Sequence, residues 1–134
     1  MDYDLNVLEQ GCEELGITLN EVQKQQFITF YEYLVEKNKV MNLTAITEFD
    51  EVIEKHFLDS LSLIKVYDLK KEVSVMDMGT GAGFPGMPLR ILEPNFDLTL
   101  LDSLGKRVSW LEQACTALGA QDVKCLHARA EEQA

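Results

Sequence analysis

Residues 77 to 86 read Asp77-Met78-Gly79-Thr80-Gly81-Ala82-Gly83-Phe84-Pro85-Gly86. Glycines at alternate positions let a backbone turn sharply and approach a ligand without side-chain clash. Set between a strand and a helix, such a loop lies where open α/β sheets bind nucleotide-like molecules, outside the carboxyl ends of the strands. A second acid, Asp102, closes the next apolar run. A carboxylate there can accept hydrogen bonds from both hydroxyls of a ribose.

Two registers compete for the loop. Asp77, Gly79, Gly81 and Gly83 form the acid-x-G-x-G-x-G pattern of S-adenosylmethionine sites. Gly81, Gly83 and Gly86 form the G-x-G-x-x-G of dinucleotide sites. The distance to Asp102 suits both. The dinucleotide register would leave Asp77 inside the strand, an ionised group in an apolar layer. It would also crowd Pro85 and Pro88 into the helix start that should hold a pyrophosphate. The other register puts Asp77 at the strand tip, able to meet the methionine ammonium. The reading adopted is therefore the methyl donor. The alternatives are a dinucleotide-binding α/β protein, a non-catalytic interaction module that docks a partner on its helical half, and a glycine turn with no ligand.

Other reactive side chains are fewer. His56, Asp59 and Ser60 resemble a hydrolytic triad, but Asp59 beside Ser60 cannot orient the far side of the imidazole. His56 and Asp59 either pin the helical part against the glycine loop or border a substrate pocket. Lys106 and Arg107 open a helix against the dipole preference. They read as a solvated pair or as RNA phosphate contacts. His127 has no second ligand near it in sequence, so no metal site is expected. Cys12, Cys115 and Cys125 form no C-x-x-C pair and read as small buried thiols of a reducing, cytoplasmic compartment.

The elements that must position these groups follow from periodicity. Leu5, Leu8, Cys12 and Leu15 stack on one helix face, with Gly16 as a stop. Asn20 and Gln23 form a capping pair, followed by a stripe of Phe27, Phe30, Tyr31, Leu34 and Val35. The pattern breaks from Asn38. Thr47 is expected to cap a third helix whose inner face carries Val52, Ile53, His56, Phe57, Ser60, Leu61 and Ile64. The period then changes to strand 73–78, helix 85–92, strand 98–102, helix 106–118 with Gly119 past its end, and strand 123–126. Trp110 and the phenylalanine stripe read as core. The fold expected is α/β: a helical part, 1–70, precedes the first half of a Rossmann-like methyltransferase domain, 71–134, with an incomplete parallel sheet. The remainder of that sheet is expected to lie outside this sequence. An uncovered edge on the third strand would then favour self-association.

Composition narrows the class. The 134 residues are 46% hydrophobic and 26% charged, an ordinary globular mixture. No apolar run is long enough to span a membrane, and no basic, apolar leader opens the chain. The net charge of −11, concentrated in the first half, opposes general nucleic-acid coating but not contact through one local patch.

Several blocks go further. Asn42-Leu43-Thr44-Ala45-Ile46, Lys55-His56-Phe57-Leu58-Asp59-Ser60-Leu61, the loop itself, Leu101-Asp102-Ser103-Leu104-Gly105-Lys106-Arg107 and Arg129-Ala130-Glu131 together resemble a bacterial rRNA methyltransferase family. It is the small-subunit rRNA methyltransferase G family, also called glucose-inhibited division protein B, and the likeness covers almost the whole chain. The resemblance implies methyl transfer from S-adenosylmethionine to N7 of a guanine in 16S rRNA of the small ribosomal subunit. It implies donor contacts at Gly79, Phe84, Asp102, Ser103, Leu104, Ala130 and Glu131. It also implies further strands, a donor-site arginine and often a basic tail beyond Ala134. Guanine N7 carries a lone pair and no proton, so such chemistry needs no general base, and no catalytic residue is assigned.

Overall fold

A computed structural model describes residues 3–41, 47–65, 74–78, 83–84, 86–93, 96–120 and 123–127. Helices α1 (Asn6–Glu14) and α2 (Glu21–Met41) come first. Next are α3 (Phe49–Val52), a π-helical turn (Ile53–Leu58), α4 (Asp59–Leu61) and a 3₁₀ turn (Ser62–Lys65). Strand β1 (Ser74–Met78), helix α5 (Gly86–Leu92), β2 (Asp97–Asp102), α6 (Gly105–Leu118) and β3 (Val123–His127) complete the order.

The three strands are parallel, in the order β1-β2-β3. Parallel neighbours need a crossover, and α5 and α6 supply the two. Both lie on one face of the sheet, where Cys115 Sγ of α6 comes within 3.8 Å of Met87 Sδ of α5. This is the first part of a doubly wound, Rossmann-like α/β fold.

The helical part is fastened to that face. Asn20 and Gln23 cap α2 reciprocally, at 2.8 and 2.9 Å. Gln23 Nε2 also donates to the carbonyls of Ile91 and Leu92, and Gln26 Nε2 donates to that of Leu118. These are the last carbonyls of α5 and α6, which no helical N–H can reach. One apolar cluster runs through both parts, from Leu8 and Phe27 to Leu100 and Trp110. Phe27, Phe30, Phe57 and Trp110 are buried at its centre, and Phe30 stacks on Trp110 at 5.9 Å between centroids.

Three local expectations change. First, α2 continues past Asn38 to Met41, because no glycine or proline stops it and Lys39 suits a helix C-terminus. The rest of the expected break, 42–45, lies outside the described residues. Second, Glu48 rather than Thr47 caps α3, accepting from Glu51 N at 3.0 Å. Thr47 instead offers its carbonyl to the Tyr31 hydroxyl at 2.6 Å. Third, the third helix is not uniform: a π turn interrupts it at Ile53–Leu58. Of its expected inner face, Val52, Ile53, Phe57, Ser60 and Leu61 are buried and His56 is half-buried, while the Ile64 side chain lies outside what is described.

Candidate functional site: the carboxyl end of the sheet

Parallel pairing puts every strand's carboxyl end on one side. Met78 is level with Leu101, and Asp102 is level with His127. The glycine loop leaves from β1 at this side, and the Asp102–Gly105 turn leaves from β2. Asp102 is only 3% exposed. Its Oδ1 accepts from Leu104 N at 2.9 Å, which folds the turn around the carboxylate. Arg107 Nη1 stands 3.8 Å from Oδ2. The two basic residues left open by the sequence thus differ in setting. Arg107 is half-buried and turned toward the acid, whereas Lys106 is exposed. Ser103 and Leu104 are exposed beside Asp102, and Leu104 is half accessible.

Asp77 departs from expectation. It lies within β1, opposite Leu100, and is buried rather than standing at the strand tip. Its Oδ2 accepts from Gly86 N at 3.1 Å, at the opening of α5. A donor at the helix start makes a buried carboxylate tolerable, so the burial argument that separated the two registers does not hold. Gly86 is needed for this approach: a Cβ there would stand 2.5 Å from Leu100 Cδ2. Gly83 likewise serves the core. Its φ is +92°, and a Cβ would meet Leu111 and Met87 at 3.0 Å. Gly79, Gly81, Ala130 and Glu131 lie outside the described residues.

Phe84 joins the loop to the helical part. The His56 imidazole stacks on its ring, with centroids 4.5 Å apart and planes 15° from parallel. Phe30 and Phe57 meet the same ring at 5.9 and 5.8 Å. Beside this stack is a cleft of about 380 Å³ lined by Lys55, His56, Asp59, Ser60, Leu63 and Phe84. Burial pushes the His56 pKa down, and the nearby Asp59 carboxylate offsets part of that shift. Ser60 Oγ donates to the His56 carbonyl at 2.6 Å. That bond commits the hydroxyl to its own helix, which removes it as a nucleophile.

Two residues were not foreseen. His127 Nε2 is 3.0 Å from the Ser103 carbonyl. A carbonyl only accepts, so this nitrogen carries the proton and braces the turn after Asp102. The imidazole also lies over Gly105, where a Cβ would be 3.4 Å from Cε1. Strand register brings the two together, since Asp102 and His127 end neighbouring strands at the same level. Arg90 is 4% exposed, donates to the Phe96 carbonyl and lies 4.7 Å over the Phe96 ring; nothing in the helical pattern marked it as an inward cation. Of the thiols, Cys12 is buried and pushed up to about 11 by that burial. Cys125 is only half-buried, and its hydrogen bond with Cys115 and its burial raise its pKa. Among the described residues, no group of His, Cys, Asp and Glu is arranged to hold a metal. No described helix is long and apolar enough to cross a membrane.

A parallel α/β sheet with a glycine loop after its first strand and a buried acid ending its second has the Rossmann-like architecture of methyltransferases. Comparison with known proteins narrows this class. Residues 23–134 match the family described as rRNA small subunit methyltransferase G (GidB), and the chain belongs to that family. It is 53% identical over 126 residues to a Ribosomal RNA small subunit methyltransferase G of Alkaliphilus metalliredigens, covering 94% of this chain and 53% of the relative. A Lachnoclostridium phytofermentans protein of the same name is 51% identical over 131 residues, covering 98% and 54%. One from Staphylococcus carnosus is 47% identical over 124 residues, covering 92% and 52%. The chain thus spans about half the length of the curated relatives it matches.

Proposed function

We propose that this chain carries the donor-binding part of an enzyme that methylates N7 of a guanine in 16S rRNA of the small ribosomal subunit, with S-adenosylmethionine as donor. The observation that carries the reading is Asp102, a nearly buried carboxylate at the sheet end from which the glycine loop also leaves. It fits a ribose: Leu104 N and Arg107 hold the carboxylate in place, and two oxygens can accept from two hydroxyls. The exposed Leu104 can cover an adenine face, and Ser103 offers a polar contact beside it. Asp77, Gly79, Gly81, Gly83 and Phe84 belong to the donor side of this reading, and Ala130 and Glu131 remain donor contacts implied by the family likeness.

When bound, the donor supplies an electrophilic sulfonium methyl group. The chain's own task is positioning. Guanine N7 needs no deprotonation, so alignment of the acceptor suffices, and misplacement by about 1 Å can cost 10²-fold in rate. His56, Asp59 and Lys106 belong to the substrate side of this reading. His56 stacks on Phe84 of the glycine loop, so a base held in its cleft would lie beside the donor loop. Family membership favours the methyl donor over the dinucleotide register. A ribosomal substrate carries a cytoplasmic location with it.

The test is methyl transfer from labelled donor to small ribosomal subunits that lack the modification. The reading expects label in 16S RNA at guanine N7, detected as borohydride-induced strand scission. Label on another atom, or on no RNA at all, contradicts it.

A further inference from the structure

We propose that Asp59 selects guanine by accepting hydrogen bonds from its Watson–Crick edge, in the cleft between the π turn and Phe84. The proposal rests on the guanine-methylating reading and assigns the base-selecting group of that site. The cleft, about 380 Å³, has the size of a small-molecule pocket. One wall is the His56–Phe84 stack, an aromatic platform of the kind on which unpaired bases lie.

The polar side of the cleft is an acceptor. Ser60 Oγ is spent on the His56 carbonyl, and Ser62 Oγ on that of Asp59. Lys55 is paired with Glu51 at 3.3 Å. The Asp59 side chain is exposed and lines the cleft, beside an imidazole whose pKa burial lowers. A carboxylate offers two acceptor oxygens side by side. Guanine alone among the four RNA bases presents two adjacent donors, N1–H and the 2-amino group. Adenine and cytosine set an acceptor beside a donor, and uracil has a single donor. A guanine held by that edge turns N7, on its opposite edge, away from Asp59 and free for reaction. Enzymes that modify bases read them in this way, through the Watson–Crick edge and stacking.

The spacing suits the role. The π turn widens the helix at Ile53–Leu58, a feature frequent at functional sites. It places His56 against Phe84 while Asp59, at the start of α4, remains exposed.

The test uses short single-stranded RNAs with one guanine, or with inosine or adenine in its place, at low ionic strength. Inosine lacks only the 2-amino group. Affinity is read by fluorescence anisotropy, and location by the ring-proton signals of His56, one of two histidines. The proposal expects about tenfold tighter binding of guanine than of inosine, weaker binding still of adenine, and upfield movement of the His56 signals. In the near-isosteric Asp59→Asn and in Asp59→Ala, each checked for unchanged thermal unfolding, the guanine preference disappears. Equal affinity for guanine and inosine in the unaltered chain overturns the proposal, as does a preference that survives both substitutions. Binding of S-adenosylmethionine to the unaltered chain is measured separately. A guanine preference that depends on Asp59, without donor binding, supports the proposal and removes the methyl-transfer reading instead.

Discussion

Gly86 shows how a residue can belong to a ligand-binding motif and yet be required by packing. The opening of α5 comes so close to β1 and β2 that a Cβ would stand 2.5 Å from Leu100 Cδ2 and 3.1 Å from Asp77 Oδ2. Gly86→Ala should therefore lose about 1–3 kcal/mol by overpacking, visible as a lower midpoint in urea. An unchanged midpoint would mean that the helix can retreat without cost. His56 makes a pH-dependent contribution. Its folded pKa lies below the ordinary 6.5 because burial disfavours the imidazolium. The unfolded chain therefore takes up the proton first as pH falls. His56 adds its full stability above pH 6.5 and loses it on acidification through that value toward its folded pKa. The melting temperature should fall between pH 7 and about 5.5, and less so in His56→Gln. At this scale Asp102 was legible, because an acid that ends an apolar run is unusual on its face. The setting of Asp77 was not, because its compensating donor, Gly86 N, comes nine residues later in space rather than in pattern. His127 was hidden for the same reason: only strand register sets it beside Ser103.

Helices and strands were more readable than their irregularities. The change from helical spacing to short apolar runs marked the passage to the sheet, and glycines at positive φ end α1 and α6 where expected. The π turn left no trace, since its apolar residues still fall on one face. The sheet order also moves one expectation. Among the described residues, β1 and β3 each pair on one side only. In the doubly wound order 3-2-1-4-5-6, strand three is an outer edge and the sheet continues beside strand one. β3 carries exposed Lys124, a residue that discourages edge pairing. Self-association of this chain should accordingly run through β1, not through the third strand as its sequence position suggested. Hydrogen exchange at low and high protein concentration checks this. Added protection is expected at the outward amides of 74–78, and added protection at 123–127 instead would reverse the assignment.

For the molecule as a whole, the central claim is that a helical part and a parallel three-stranded sheet share one core and present a donor site at the sheet's carboxyl end. The family likeness was carried by short blocks of sequence, and the geometry now ties two of them together: His56 rests on Phe84 of the glycine loop. Calorimetric titration of the chain with S-adenosylmethionine, beside the Asp102→Ala variant, tests the claim most directly. The account predicts saturable binding to one site. It predicts affinity at least tenfold weaker in the variant, since each hydrogen bond to a charged group is worth about 1.5–3 kcal/mol. A folded chain that gives no saturable heat, or a folded Asp102→Ala variant with unchanged affinity, would contradict it.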